Sequence, residues 1–361
     1  MNLLQRLLCT FFCTALLVVS TGLSSSVVQA AEDRASKSVK VKPKKQMPTA
    51  KKHVSKKPAA SPSAPKKPPP RLAHAGVRPV SVKRFLAAET GSNSFGQQNG
   101  LHSEIDPLSL KSAVAFVQDL DTKQILFAKN SDAVLPIASI TKLMTALVVL
   151  EARQPLDDIL NVTDDDVDTE KNSRSRLRVG TELSRSDMIH LALMSSENRA
   201  AHCLGRYYPG GLRAAVAAMN AKAAVLGMRD THFVEPTGLS SNNVSSGPDL
   251  AKLVNAAYSV DLIREYSTDV DYAVSLNRRR TLFVNTNPLI QDGNWEISVS
   301  KTGFISEAGR CLVMHARIEG RRIAIVLLDS LGKYSRLGDA NRLRHWLETR
   351  VRTPLNNRQP T

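Results

Sequence analysis

One apolar segment, residues 137–150, limits the folds open to this chain more than any other feature. Its sequence, IASITKLMTALVVL, spans roughly three helical turns and carries apolar side chains on nearly every face. Such a helix is stable only where other elements cover it on all sides. The segment therefore predicts a central helix in a sizeable domain, and a chain of 361 residues with 42% hydrophobic residues can supply that core.

Lys142 is the charged exception in this segment, and Ser139 lies at its start. Burial disfavours the charged form of a lysine, which leaves its amine free to take up a proton near neutral pH. A separation of three residues places both side chains on one helical face. The pair therefore resembles a nucleophile beside its base, and the N–H groups of the helix start would point toward a developing oxyanion.

The Ser-x-x-Lys spacing is weak by itself, because it recurs at Ser63, Ser298 and Ser330. The first of these lies in a Lys- and Pro-rich stretch, and the other two lack a buried apolar helix. A Lys142 side chain that extends to the surface is the alternative interpretation. The apolar context, not the spacing, favours Ser139.

Two further motifs follow in the chain. Residues 188–207 are predicted to be helical but are interrupted by the polar cluster Ser195-Ser196-Glu197-Asn198, which taken alone also fits a helix cap or a turn. Residues 296–303 alternate like a strand and end in Lys301-Thr302-Gly303, a triplet that occurs once.

These motifs, Ser139-x-x-Lys142, Ser196-x-Asn198 and Lys301-Thr302-Gly303, resemble in order and rough spacing the set of penicillin-binding proteins and serine β-lactamases. The surrounding sequence is most similar to low-molecular-mass D-alanyl-D-alanine endopeptidases of the penicillin-binding-protein-7 type, over roughly residues 108–348. The resemblance implies an α+β fold, in which a central antiparallel sheet packs against helices and a mostly helical subdomain.

The strand pattern agrees with that fold. We expect the Lys301 strand to join a sheet with two hairpin strands, residues 112–120 and 124–128, and two later strands, residues 311–318 and 322–328. A helix over residues 339–351 would follow these strands. The helical insertion is predicted over about residues 152–267. The site would lie between the sheet edge that carries Lys301 and the helical part that carries Ser196.

The resemblance also implies the catalytic roles. Ser139 would be the acylated nucleophile, Lys142 its general base, and Ser196 the residue that relays a proton to the departing amine. Asn198 would hold Lys142 and the substrate backbone.

The remaining implied residues bind substrate. Lys301 would lower the Lys142 pKa further and attract a substrate carboxylate, which Thr302 helps to bind. Gly303 would line the same edge, and the N–H groups of Ser139 and Phe304 would form the oxyanion hole.

The implied substrate is peptidoglycan, cut at D-Ala–meso-diaminopimelate cross-links through an acyl-enzyme, with β-lactams as covalent inhibitors. A D-alanyl-D-alanine carboxypeptidase that trims pentapeptide stems is the alternative. The endopeptidase is favoured because the chain has no room for the β-rich domain and membrane helix that many carboxypeptidases append. Neither a cofactor nor a metal is expected, since His202, His232 and His315 are scattered singly.

Two other classes of function fit the sequence less well. A β-lactamase would need a Glu-x-x-Leu-Asn-type segment between Ser196 and Lys301 to position a deacylating water, and the sequence has none. We therefore expect slow release of a penicilloyl group. A non-catalytic wall-binding scaffold is disfavoured by the intact motif set.

The first thirty residues have the pattern of a secretory signal, with Arg6, an apolar run over residues 7–19 and small residues around Ala30. We expect residues 1–30 to be removed and the mature chain to reach the periplasm. An uncleaved anchor is the alternative, although the run is short for a membrane span.

Residues 31–100 are predicted to form a disordered basic linker before a catalytic domain over residues 101–361. A segment composed mainly of Lys, Pro, Ala and Ser cannot bury enough apolar surface to offset the conformational entropy lost when the chain becomes ordered. This linker carries most of the formal net charge of +16. It is either a solvated spacer or a contact to anionic membrane headgroups or wall polymers, while nucleic acid is disfavoured because aromatic residues do not interleave with the lysines.

Cys203 and Cys311 are the cysteines that remain after the signal. Both have apolar neighbours, which favours buried free thiols over a disulfide.

Overall fold

A computed structural model describes residues 93–169 and 171–352. The predicted signal peptide and the predicted linker as far as residue 92 lie outside the described residues. In chain order the α-helices and strands are α1 (Phe95–Gln98), β1 (Ser112–Asp119), β2 (Ile125–Lys129), β3 (Leu135–Pro136), α2 (Thr141–Glu151), β4 (Ile159–Asn161), β5 (Glu182–Ser184), α3 (Arg185–Met194), α4 (Asn198–Arg206), α5 (Gly211–Val225), β6 (Val244–Ser245), α6 (Gly247–Tyr258), α7 (Asp261–Thr268), β7 (Asp271–Leu276), β8 (Arg279–Val284), β9 (Glu296–Ile305), β10 (Gly309–Ile318), β11 (Arg321–Ser330) and α8 (Ser335–Arg352).

The predicted α+β architecture is confirmed. An antiparallel sheet of five strands runs in the order β2-β1-β11-β10-β9, so β9 lies at one edge. The β1–β2 hairpin and the strands after residue 294 occupy this sheet, as the sequence predicted. Helix α8 begins at Ser335, four residues before the predicted start.

Helices cover both faces of the sheet. In β11, Val326 and Leu328 belong to the core beneath the helical part, while Ile325 and Leu327 belong to a second core that includes Leu343 of α8. A strand that is buried on both faces needs apolar residues at consecutive positions rather than alternate ones. This explains the continuous run IAIVLL in β11.

Helix α2 is the central helix that the apolar segment predicted. Every residue from Thr141 to Val149 is buried, and α2 contacts each of the helices α3 to α7. Ser139, the predicted nucleophile, precedes α2 in a 3₁₀ turn, Ala138–Ile140, and therefore lies outside the regular helix. Burial of an all-apolar helix by five neighbours fixes the position of this turn within the domain.

Three details differ from the sequence predictions. The insertion contains helices α3 to α7, but it also contains a two-stranded sheet, β4–β5, that was not predicted. The hairpin β7–β8, which follows the insertion, was not predicted either. The predicted linker, residues 31–100, extends too far at its C-terminal end, because α1 lies within this range and packs on the domain. The N–H of the buried Gly96 donates to Asp329 Oδ2 at 2.8 Å.

Both late cysteines carry buried free thiols, which confirms the predicted state. Burial raises the pKa of Cys203 and of Cys311 to about 12. Neither thiol therefore ionises near neutral pH. Within the part of the chain that the structure describes, no helix has the length and hydrophobicity needed to cross a membrane.

Candidate active site

Ser139 lies in a tightly packed turn. Ala138, the residue before it, has a φ of +48°, a left-handed conformation that surrounding contacts must enforce. Gly303 of β9 packs against this turn, since a Cβ added there would lie 3.1 Å from the Ser139 backbone nitrogen. The peptide between Gly303 and Phe304 is therefore a neighbour of the Ser139 N–H. That arrangement suits two donors that converge on one oxyanion.

Lys142 is completely buried and its amine faces three acceptors. Nζ lies 2.8 Å from Ser139 Oγ, 2.7 Å from Asn198 Oδ1 and 2.5 Å from the carbonyl oxygen of Thr237. When the amine is neutral, its lone pair can accept the Ser139 hydroxyl proton while its N–H groups donate to the other two oxygens. The geometry therefore suits proton removal from Ser139.

Burial lowers the pKa of Lys142 from its ordinary value of 10.5 to about 7, and the negative charges of Glu235 and Glu197 partly oppose this shift. A base with a pKa near the working pH combines a substantial neutral fraction with useful basicity. The predicted effect of burial on Lys142 is thus confirmed.

The Ser196 motif occupies the short connection between α3 and α4. Ser196 itself has a φ of +62°, a strained conformation for a residue with a side chain. Two residues later, Asn198 accepts from Lys142 and donates through Nδ2 to Ser173 Oγ at 2.9 Å. Asn198 therefore contacts Lys142 directly, whereas Ser196 is not among the three residues that accept from Nζ.

Lys301 is buried in the edge strand β9, where Nζ donates to the Thr302 carbonyl oxygen at 2.9 Å. Its pKa is lowered well below the ordinary value, first by burial and then by the positive charges of Lys142 and Arg336. The strand that carries Lys301 packs against the Ser139 turn through Gly303, which brings Lys301 near the Ser139–Lys142 pair. A carboxylate bound beside Lys301 would raise its pKa and favour the charged form.

Thr302 and Phe304 differ in their surroundings. Thr302 is buried, and its Oγ1 donates to Thr286 Oγ1 at 2.7 Å. The Phe304 ring is 54% exposed and lies 4.5 Å from the Arg310 guanidinium carbon. Its backbone lies at the sheet edge beside Ser139, while its ring faces outward. Phe304 can therefore contribute its N–H to the site without filling it.

Comparison with known proteins agrees with this geometry. Residues 101–332 match a sequence model described as D-alanyl-D-alanine carboxypeptidase. This chain belongs to that family. A D-alanyl-D-alanine endopeptidase of Pseudomonas aeruginosa is 50% identical over 242 residues, 66% of this chain and 78% of that protein. One from Escherichia coli is 50% identical over 273 residues, 75% of this chain and 84% of that protein.

The D-alanyl-D-alanine carboxypeptidase family also explains the fold. The crystal structure of a Streptomyces DD-transpeptidase superposes with a TM-score of 0.62 at 25% identity, covering 67% of this chain and 98% of that one. The resemblance inferred from the three motifs is confirmed, and the chain is a serine-type peptidase.

One loop of the site was missed by sequence reasoning. The Glu235 carboxylate accepts from the N–H groups of Thr237 and Gly238 at 2.6 Å each, and from Asn243 Nδ2 at 2.8 Å. These bonds fix the loop so that its Thr237 carbonyl faces Lys142. An acidic residue just before Pro-Thr-Gly is a signal for such a loop, because its carboxylate can accept N–H groups of the turn that follows.

Burial is the first cause of the lowered pKa at both Lys142 and Lys301. Repulsion between the two amines adds to it and disfavours the state in which both carry a positive charge.

The low Lys142 pKa predicts the pH dependence of acylation by penicillin. Below about pH 7 the amine is protonated and cannot accept the Ser139 proton, so the rate should fall about tenfold per pH unit toward acid. The rate should level off above that value. Stopped-flow acylation across pH 5–9 would measure the profile, and a rate independent of pH would contradict it.

Glu197→Gln provides a directional control for that profile. The Glu197 charge raises the Lys142 pKa, so its removal should move the acid limb to lower pH. A limb that shifts to higher pH in this variant would show that another group controls the reaction.

Proposed function

We propose that this chain is a periplasmic serine D,D-endopeptidase that hydrolyses D-Ala–meso-diaminopimelate cross-links in peptidoglycan through an acyl-enzyme on Ser139. One observation carries the proposal: a completely buried Lys142 with a pKa lowered to about 7 lies 2.8 Å from Ser139 Oγ. A hydroxyl beside a neutral buried amine is an activated nucleophile. The family supplies the reaction class, and the two D-alanyl-D-alanine endopeptidases described above favour the endopeptidase.

The first half of the reaction forms the acyl-enzyme. Lys142 removes the Ser139 proton as Oγ attacks the D-Ala carbonyl carbon, and the carbonyl oxygen takes up the negative charge. The N–H groups of Ser139 and Phe304 stabilise that oxyanion. Ser196 then passes its hydroxyl proton to the departing amine and takes up the proton held by Lys142. The amine leaves as the second stem, and Lys142 is neutral again.

The second half releases the D-Ala-ended stem. Water attacks the ester carbonyl, Lys142 takes the water proton and returns it to Ser139 Oγ, and Ser139 leaves as the alcohol. Asn198 keeps the Lys142 amine oriented throughout, because its side chain is itself fixed by Ser173. A β-lactam acylates Ser139 in the same way, and its slow release makes it an inhibitor.

A carboxylate beside the scissile amide suits the other end of the site. Lys301, Thr302 and the nearby charge of Arg336 provide a positive, largely buried region for such a group. Both meso-diaminopimelate and a terminal D-Ala carry that carboxylate. This part of the site therefore fits the endopeptidase and the alternative carboxypeptidase equally well.

We also propose that residues 1–30 direct export and that the basic linker tethers the domain near an anionic surface. The concentration of positive charge in the linker favours membrane headgroups or wall polymers as that surface.

Muropeptide digestion tests the proposed reaction. The purified mature chain is incubated with cross-linked dimers and with pentapeptide monomers, and the products are separated by mass. We expect dimers to be split into monomers whose stems are otherwise intact. Chain treated beforehand with benzylpenicillin is the control and should cut neither substrate. Loss of terminal D-Ala alone, with dimers left intact, would favour the carboxypeptidase.

A further inference from the structure

A cavity of about 470 Å³ lined by arginine lies between the segment of residues 176–181 and the hairpin β7–β8. Arg176 and Arg178 line it from one side, Arg279 of β8 lines it from the other, and Thr181 and Thr281 add hydroxyl groups. We call this cavity the arginine pocket. Guanidinium and hydroxyl donors around one concave surface form a binding site for carboxylates.

The residues that precede the arginine pocket alternate between two faces. Ser173 and Ser175 point inward, where Ser173 Oγ accepts from Asn198 and Ser175 Oγ donates to Glu197 Oε2 at 2.6 Å. Arg176 and Arg178, in contrast, are exposed. One short segment therefore supports the catalytic motif with one face and presents positive charge with the other.

Arg176 fixes the arginine pocket relative to the active site. Its Nη1 donates to the Leu282 carbonyl oxygen at 2.8 Å, and its guanidinium lies 3.6 Å from the centre of the Phe283 ring. Its Nε is 3.6 Å from Glu197 Oε1. Glu197 separates Ser196 from Asn198 in the chain, so Arg176 joins the arginine pocket to the segment that carries these two residues.

The charges of the arginine pocket are largely uncompensated. Within residues 93–169 and 171–352, neither Arg178 nor Arg279 forms an ion pair with an acidic side chain. Arg278 and Arg280 flank Arg279 in the same exposed hairpin and add to the positive field. A concave surface with one sign of charge concentrates ligands of the opposite sign.

We propose that the arginine pocket binds carboxylates of the departing stem peptide and thereby selects cross-linked substrate. This inference rests on the proposed function. When a terminal D-Ala departs, its single carboxylate is already placed beside Lys301. When a cross-link is cut, the departing meso-diaminopimelate continues into a stem with two more carboxylates, one on D-Glu and one on its C-terminal D-Ala.

Charge reversal at the rim of the arginine pocket tests the proposal. Arg178→Glu/Arg279→Glu in the full chain changes exposed residues outside the catalytic machinery. Arg213→Glu/Arg229→Glu is the matched control, because both arginines are exposed and the net charge changes equally. For the pocket variant, kcat/KM on dimers should fall about tenfold or more through a higher KM. Penicillin acylation, which involves no departing stem, should stay within about twofold.

Two results would overturn the proposal. The first is dimer cleavage equal to that of the control variant, and the second is an equal slowing of dimer cleavage and penicillin acylation, which would indicate damage to the fold. A dimer whose departing stem carries amides in place of its two carboxylates provides a further arm. It should react with the unmodified chain about as slowly as the intact dimer reacts with the pocket variant.

Equilibrium binding separates this inference from the proposed function. Ser139→Ala protein is titrated with intact dimer, with and without the two pocket substitutions. Affinity that weakens about tenfold or more supports the arginine pocket even if the active chain fails to cut dimers, a failure that would refute only the endopeptidase. Equal affinities would refute the pocket even if dimers are cut.

Discussion

Lys142→Met should slow acylation by penicillin about 10³–10⁴-fold while leaving the domain folded. Methionine matches the length of the lysine stem but cannot accept the Ser139 proton. Because Lys142 is completely buried, methionine also removes the cost of enclosing an amine, which offsets the hydrogen bonds lost at Asn198 and Thr237. Labelling by fluorescent penicillin measures the rate, and thermal unfolding measures stability.

Lys142→Arg is the control for this prediction. Arginine keeps a positive charge but does not deprotonate near neutral pH, so it should be as inactive as methionine. A methionine variant that retains more than about a tenth of the acylation rate would remove Lys142 from the role of base. A large fall in its melting temperature would instead assign the loss of activity to misfolding.

The central part of the fold could be predicted because its signals are local. An apolar run that leaves no polar face has to be enclosed, and α2 is enclosed by five helices. The two-residue alternation around Lys301 and the continuous apolar run of β11 both placed strands correctly. These patterns depend only on which faces of an element are covered.

The end of the linker and the hairpin β7–β8 could not be predicted in this way. Helix α1 is short and polar, and it is held by a bond from Gly96 to Asp329, more than two hundred residues away in sequence. The hairpin contains the run Arg278-Arg279-Arg280, which carries little apolar patterning. Contacts of this kind appear only when distant segments meet.

The candidate site shows the same division. Ser139 and Lys142 share a helical face, so their proximity could be predicted from spacing. Glu235 could not be placed, because its effect on Lys142 depends on a loop that folds back onto α2. Thr145 Oγ1 holds that loop by donating to the Pro236 carbonyl oxygen at 2.7 Å. A side-chain bond to a distant backbone oxygen leaves no periodic signal in the sequence.

Gly238→Ala should reduce acylation by about 10²-fold or more and destabilise the domain by about 3 kcal/mol. Gly238 has a φ of +82°, and a Cβ added there would lie 1.9 Å from the Ala138 carbonyl oxygen and 2.7 Å from the Ser139 nitrogen. Because both contacts are to backbone, the turn itself must move. The Ser139 N–H then leaves the position from which it stabilises the oxyanion.

Gly180→Ala is the matched control for Gly238→Ala. Gly180 has nearly the same φ, +83°, but a Cβ added there meets nothing within 4 Å. Its substitution should therefore cost only the strain of a left-handed residue, about 1 kcal/mol, with acylation unchanged. Urea unfolding and penicillin labelling of the two variants separate backbone strain from collision. Equal losses of stability and activity would show that the close packing of Gly238 against the nucleophile turn does not control the reaction.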